Sequence, residues 1–123
     1  MEDDLRFDVA EGFARLGLQK EAMEALEEIP QSDKNREMWT LMLDLMVRTA
    51  KSWEAGEAIA RKITPLDDIR QRRAAGRFWL SQAQCLCVDN EIFETRLALA
   101  EMFAVWPEGW PLAWACKELG EVW

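Results

Sequence analysis

The chain has 123 residues, of which 50% are hydrophobic and 31% are charged, and its formal net charge is −8. This composition excludes a disordered chain and fits one domain with a buried apolar core. The excess of acids disfavours binding to nucleic acid phosphates, and no uncharged stretch approaches the roughly 20 apolar residues that span a bilayer. The acidic start has no secretory features, so we expect no membrane association and a cytoplasmic location.

Helical periodicity runs along nearly the whole chain, without the alternation typical of strands. Gly17 is suited to the left-handed end of a helix and Pro30 to the residue that stops one, while Ser52 and Asn90 are good N-caps. The segment 64–67, Thr-Pro-Leu-Asp, is the clearest helix start. An all-α domain spanning residues 1–123 is therefore predicted. Its seven helices are expected at about 4–16, 19–29, 35–49, 52–63, 67–88, 91–105 and 109–121.

A short pattern recurs along these helices. Ala22-x3-Leu26 is repeated as Ala55-x3-Ile59 after a shift of 33 residues, and Thr95-x3-Leu99 follows after a further 40. Chains built from helix pairs at such periods are typical of stacked repeats, in which each pair buries its apolar face against the next. Small residues at Ala10, Ala22, Ala55 and Ala83 should let the paired helices approach closely.

The recurring pattern resembles the tetratricopeptide repeat family, whose unit reads W-x2-L-G-x2-Y, then A-x3-F, then P over about 34 residues. The residues at these positions are Arg6, Val9, Ala10, Phe13, Ala22, Leu26 and Pro30 in the first unit, Trp39, Met42, Leu43, Met46, Ala55, Ile59 and Pro65 in the second, and Trp79, Gln82, Ala83, Leu86, Thr95, Leu99 and Pro107 in the third. The resemblance implies repeats at about 3–34, 36–66 and 76–108. It also implies a right-handed superhelix with a capping helix at about 109–121.

The resemblance further implies a concave groove, lined by the first helix of each repeat, that binds a peptide segment or a partner helix. By motif offset, the groove positions are Phe7, Glu11, Arg15, Thr40, Asp44, Arg48, Leu80, Gln84 and Cys87. Glu11 and Asp44 would orient a basic or amphipathic segment, although Arg15 and Arg48 could equally pair with those acids. The expected function is thus non-catalytic protein binding.

The inventory of reactive side chains also argues against an enzyme. The chain contains no histidine and no glycine-rich phosphate loop, so the usual proton shuttle and nucleotide signatures are missing. Cys85, Cys87 and Cys116 are expected to be small buried residues, and a metal or redox role would require all three to converge. We therefore expect no catalytic residues, no cofactor and no metal.

Two other features leave alternatives open. Trp106, Trp110, Trp114 and Trp123 crowd the C-terminus, and exposure of these rings would favour a structural, self-associating domain and a homo-oligomer. The arginines at positions 70, 73 and 77 share one helical face. A solvated ridge is the default interpretation of these arginines, and contact with an anionic partner is the alternative.

Overall fold

The computed structural model describes residues 2–30, 34–49, 53–116 and 119. This part of the chain is all-α, as predicted, and contains no strand. It also has no helix long and apolar enough to cross a membrane. The helices are α1 (Glu2–Arg15), α2 (Gln19–Glu27), α3 (Arg36–Thr49), α4 (Trp53–Ala60), α5 (Ile69–Val88), α6 (Ile92–Val105) and the short α7 (Trp110–Trp114).

The helices pack as three consecutive pairs, α1 with α2, α3 with α4, and α5 with α6. The pairs are joined because α3 contacts both helices of the first pair and α5 contacts both helices of the second. The first helices of successive pairs therefore touch one another, α1 against α3 and α3 against α5. The contact between α5 and α6 is the most extensive in the fold.

The first pair is closed by a tight turn at Gly17. Its amide donates to the carbonyl of Ala14 at 3.1 Å, and the amide of Leu18 donates to the carbonyl of Phe13 at 2.9 Å. These are the two hydrogen bonds of a Schellman motif, which requires a left-handed residue at its centre. Gly17 has a φ of 78°, so the prediction that it ends the first helix is confirmed.

The third pair uses the same turn at Asn90, which corrects the prediction that this residue caps the start of α6. The amide of Asn90 donates to the carbonyl of Cys87 at 3.1 Å, and that of Glu91 donates to the carbonyl of Leu86 at 2.9 Å. Asn90 has a φ of 62°, a conformation that asparagine tolerates better than most residues. It therefore ends α5, while the cap predicted at Ser52 lies outside the described residues.

The interiors of the first and third pairs are also equivalent. Ala10 and Ala22 are fully buried in the first pair, and Ala83 and Thr95 are fully buried in the third. Thr95 is tolerated in place of alanine because its hydroxyl donates to the carbonyl of Glu91 at 2.7 Å. Each pair of equivalent residues is separated by 73 positions, the same distance that separates Gly17 from Asn90.

The second pair departs from its predicted register in α4. Ala55, expected in the helix interface, is exposed, and Gly56 is buried instead. A Cβ at Gly56 would overlap the ring of Phe78 and touch the sulfur of Met46. Since successive helical residues differ by about 100° around the axis, the need for a glycine against Phe78 rotates α4 by one residue relative to the motif.

The start of α5 also differs from the prediction. Segment 64–67 forms a turn of its own, in which the amide of Thr64 donates to the Asp67 carboxylate at 2.8 Å. The helix begins only at Ile69, because Asp68 caps it by accepting from the amide of Gln71 at 3.1 Å. Thr64 is therefore not the N-cap that the sequence pattern indicated.

The predicted capping helix at 109–121 is wrong in its extent, because α7 ends at Trp114. A 3₁₀ turn at Pro107–Gly109 precedes it, and the amide of Cys116 donates to the carbonyl of Ala113, three residues back, at 3.2 Å. Hydrogen bonds to the third residue back wind the chain more tightly than those of an α-helix, which reach the fourth residue back. Ala113 and Leu119 are nevertheless fully buried, so the C-terminal segment does cover part of the core.

Two helical glycines make the packing of α4 on α5 testable. At Gly12, in α1, an added Cβ would meet no neighbour, so Gly12→Ala should raise the free energy of unfolding by about 1 kcal/mol through helix propensity. At Gly56 the same substitution should lower it, because overpacking against Phe78 costs about 1–3 kcal/mol. Urea unfolding measures both. Equal stabilisation by the two variants would show that the close contact of α4 with Phe78 does not exist.

Candidate functional site

An open cleft lies between the first helices of the three pairs. Two adjoining cavities of about 350 Å³ each share Glu11, Leu41 and Asp44, and together they run along α1, α3 and α5. The predicted groove residues on α1 and α3 line this cleft. They are Phe7, Glu11, Arg15, Thr40, Asp44 and Arg48.

The structure does not bring the predicted groove residues of α5 to this cleft. Leu80 is buried in the core with 5% exposure, and the side-chain amide of Gln84 donates to the sulfur of Cys116 at 3.3 Å. Cys87 packs against the core. The motif offset misplaces them because it takes the groove positions from α5 after residue 76, whereas the part of α5 that lines the cleft runs from Arg70 to Arg77.

The α5 wall of the cleft is instead formed by the arginine ridge, defined as Arg70, Arg73 and Arg77. These residues line the cleft together with Gln71 and Ala74. Their spacing of three and four residues places the arginines on one helical face, a signal that is visible in the sequence. What the sequence does not show is that this face lies opposite Asp44 rather than in open solvent.

The cleft arginines have no close partner among the described residues, unlike most of the arginines outside the cleft. Arg36 pairs with Asp67, Arg61 with Glu101 at 3.2 Å, and Arg72 with Glu108 at 2.6 Å. By contrast, no hydrogen bond or ion pair to another described residue is made by the five arginines that line the cleft. They are Arg15, Arg48, Arg70, Arg73 and Arg77.

The charge balance of the cleft is opposite to that of the chain. Its five arginines face three acids, Glu11, Glu37 and Asp44, which leaves a local charge of 5 − 3 = +2 in a chain with a net charge of −8. The acids come from α1 and α3, whereas α5 contributes only cations. The cleft therefore has one acidic wall and one basic wall, with Arg15 and Arg48 at its far end.

Asp44 is a half-buried charge of the cleft. Burial raises the pKa of its carboxyl group above the ordinary value, although attraction by Arg48, Arg77 and Arg73 opposes the rise. The arginines thus lie near enough to be felt by the carboxylate without forming an ion pair with it. Asp44 therefore has cations of both α3 and α5 near it. It also lines the cleft, where a ligand can reach it.

The cysteines were the other candidates for chemistry. The expectation that all three are small buried residues is wrong, because Cys85 is exposed and Cys87 and Cys116 are half-buried. Cys116 also donates a long hydrogen bond of 3.4 Å from its sulfur to the carbonyl of Leu112. In the part of the chain that the structure describes, no three or more cysteine, aspartate or glutamate side chains come together in a way that could hold a metal ion.

The C-terminal tryptophans divide into a buried and an exposed group. Trp106 is 7% exposed and lies against Gly76 and Gly109. Trp110 and Trp114 stack with ring centroids 5.4 Å apart and an interplanar angle of 15°, and they remain 50% and 55% exposed. Leu112, between them in sequence, is 45% exposed. Trp123 lies outside the described residues.

Comparison of the chain with protein-family models, with curated proteins and with solved structures finds no match. The tetratricopeptide assignment accordingly stays a prediction.

The raised pKa of Asp44 predicts an unusual pH dependence. Since the folded state holds this proton more tightly than the unfolded state, the ionised carboxylate opposes folding once the pH exceeds its folded pKa. Asp44→Asn should therefore unfold at higher urea than the wild type at pH 7.5, and the difference should shrink as the pH falls towards 4. A variant less stable than the wild type at pH 7.5 would mean that arginine attraction outweighs burial.

Proposed function

We propose that this chain is a non-catalytic interaction domain that binds a polypeptide segment in the cleft between α1, α3 and α5. The observation that carries the proposal is the concentration along the cleft of five arginines that have no close partner among the described residues, whereas Arg36, Arg61 and Arg72 outside it are paired. Arginine is enriched in protein interfaces because its planar head makes directed hydrogen bonds over a broad stem. A set of such groups on a concave surface is suited to a partner.

The shape of the cleft supports an elongated ligand. Each cavity holds about 350 Å³, which is close to the roughly 400 Å³ occupied by one turn of an α-helix about 10 Å wide. The two cavities adjoin, so the cleft is elongated and accepts one side of a chain. Half-buried Phe7 and Leu41 supply apolar contact beside the charges, the combination typical of protein interfaces.

The proposal extends to a tetratricopeptide-like stacking of the helix pairs. It is supported by the equivalent Schellman turns at Gly17 and Asn90, by the equivalent buried positions in the first and third pairs, and by the contacts of α3 with α1 and α5. In such a stack the first helices line the concave face. The cleft residues of α1, α3 and α5 then form one continuous binding surface.

Site-specific photocrosslinking tests this function. A benzoylphenylalanine probe at Glu37, an exposed residue of the cleft, should form an adduct in host lysate that contains a second polypeptide. The matched probe at Glu24, an exposed glutamate of α2, should not. Mass spectrometry of the adduct identifies the partner peptide.

The contact should also depend on cleft charge. Adding Arg73→Glu and Arg77→Glu to the Glu37 probe should abolish the adduct, provided that circular dichroism shows an intact helical fold. Adducts of equal yield from the two probe positions, or an adduct that survives the double substitution, would contradict the proposal that the cleft binds the partner.

A second candidate function is supported by the exposed C-terminal rings. Trp110, Leu112 and Trp114 are each about half exposed, and large apolar groups clustered on a surface are typical of contact sites. Covering them with the same surface of another copy would form a closed dimer, the commonest symmetric assembly. In this case the domain would serve as a structural part of a larger assembly.

Sedimentation velocity tests this second candidate. The wild type should sediment faster as its concentration rises, whereas a Trp110→Ala/Leu112→Ser variant should remain monomeric. Leu16→Ser is the matched control, because Leu16 lies in the turn after α1, is 76% exposed, and its substitution should leave association unchanged. A wild type that stays monomeric up to several hundred micromolar would remove the structural role.

A further inference from the structure

We infer that the partner segment is a helix carrying a stripe of acidic residues, which the arginine ridge of α5 recognises. The inference rests on the proposed function and adds to it the chemistry of the partner. Glu11 and Asp44 considered alone favour a basic segment. The ridge reverses that expectation, because the cleft as a whole carries five cations and three anions.

The intervals of the ridge match a helical partner. Arg73 and Arg77 follow Arg70 after three and seven residues, which corresponds to about 4.5 Å and 10.5 Å along the axis of α5. A partner helix with acids at positions i, i+3 and i+7 has the same intervals. An extended strand places residues of one face about 6.6 Å apart, so it matches the ridge less well.

Arg72, on the same helix, has the carboxylate partner that the arginines of the ridge do not have among the described residues. Arg72 points away from the cleft, and its Nη1 donates to both carboxylate oxygens of Glu108, at 2.6 and 2.7 Å. Arg70, Arg73 and Arg77 belong to the same two turns of α5 but meet no such carboxylate among the described residues. A partner glutamate or aspartate would supply to each of them what Glu108 supplies to Arg72.

The acidic wall opposite the ridge argues for a polypeptide rather than a nucleic acid. Duplex DNA carries about one negative charge per 1.7 Å of its length, so a phosphate backbone would meet Glu11, Glu37 and Asp44 as well as the arginines. A helix can place acids on one stripe and neutral or basic residues on the next. It can therefore turn its acids to α5 and its other side to α1 and α3.

Fluorescence anisotropy with designed peptides tests the inference. The probe is a labelled 18-residue helical peptide with glutamates at i, i+3 and i+7, and its control carries lysines at the same positions. We expect saturable binding of the acidic peptide, at least tenfold weaker binding of the basic one, and weakening with added salt. Arg73→Glu should reduce the affinity for the acidic peptide about tenfold. Arg96 is an exposed arginine on α6 outside the cleft, and Arg96→Glu should leave the affinity unchanged.

Several outcomes would overturn the inference. Tighter binding of the basic peptide, acidic-peptide binding that Arg73→Glu leaves unchanged, or stronger Arg73-dependent binding of single-stranded RNA would each do so. Failure of both peptides to bind also overturns it, and the crosslinking result then separates the two proposals. An adduct at Glu37 without peptide binding leaves the binding cleft in place with a partner of another charge, whereas neither signal removes both.

Discussion

The contact of Phe78 with Gly56 is the constraint on which the arrangement of the cleft depends. Phe78 is fully buried in the middle of α5, and its ring occupies space that any side chain at Gly56 would fill. Further along the chain, Trp106 lies against Gly76 in the same way. These two contacts fix the rotation of α5 about its axis. Because Arg73 and Arg77 are on the remaining face, fixing that rotation also fixes which residues they oppose.

The charge arrangement follows from this packing and runs against local stability. The arginine ridge concentrates like charges on one face of α5, and Asp44 on α3 is partly desolvated beside them without forming an ion pair. A structure selected only for stability would close such groups into pairs, as it does at Arg72 and Glu108. Unpaired charges kept together on a concave face are more typical of a surface that binds a partner than of one that only faces water.

The positions of most helices were predictable from sequence because local signals decide them. Gly17 and the periodicity of apolar residues act within one or two turns, and the equivalence of Ala22 with Thr95 follows from constant spacing. The prediction that Ala55 is buried was wrong because its exposure depends on Phe78, a residue 23 positions away. The prediction that Leu80 and Gln84 line the groove was wrong for a related reason. The motif describes one repeat, and the residues of α5 that line the cleft lie mostly before that repeat begins.

The charge expected of the partner depends on a tertiary contact, the position of the arginine ridge opposite α1 and α3. The acids of α1 and α3 are placed in the cleft by motif spacing alone, and by themselves they indicate a cationic ligand. The arginine ridge is just as visible in the sequence, but a helical face becomes part of a site only when another helix lies opposite it. Since Asp44 feels Arg73 and Arg77 across the cleft, the two sets of charges belong to one surface. A ligand must satisfy both walls together, which favours a polypeptide helix with differently charged sides over any uniformly charged polymer.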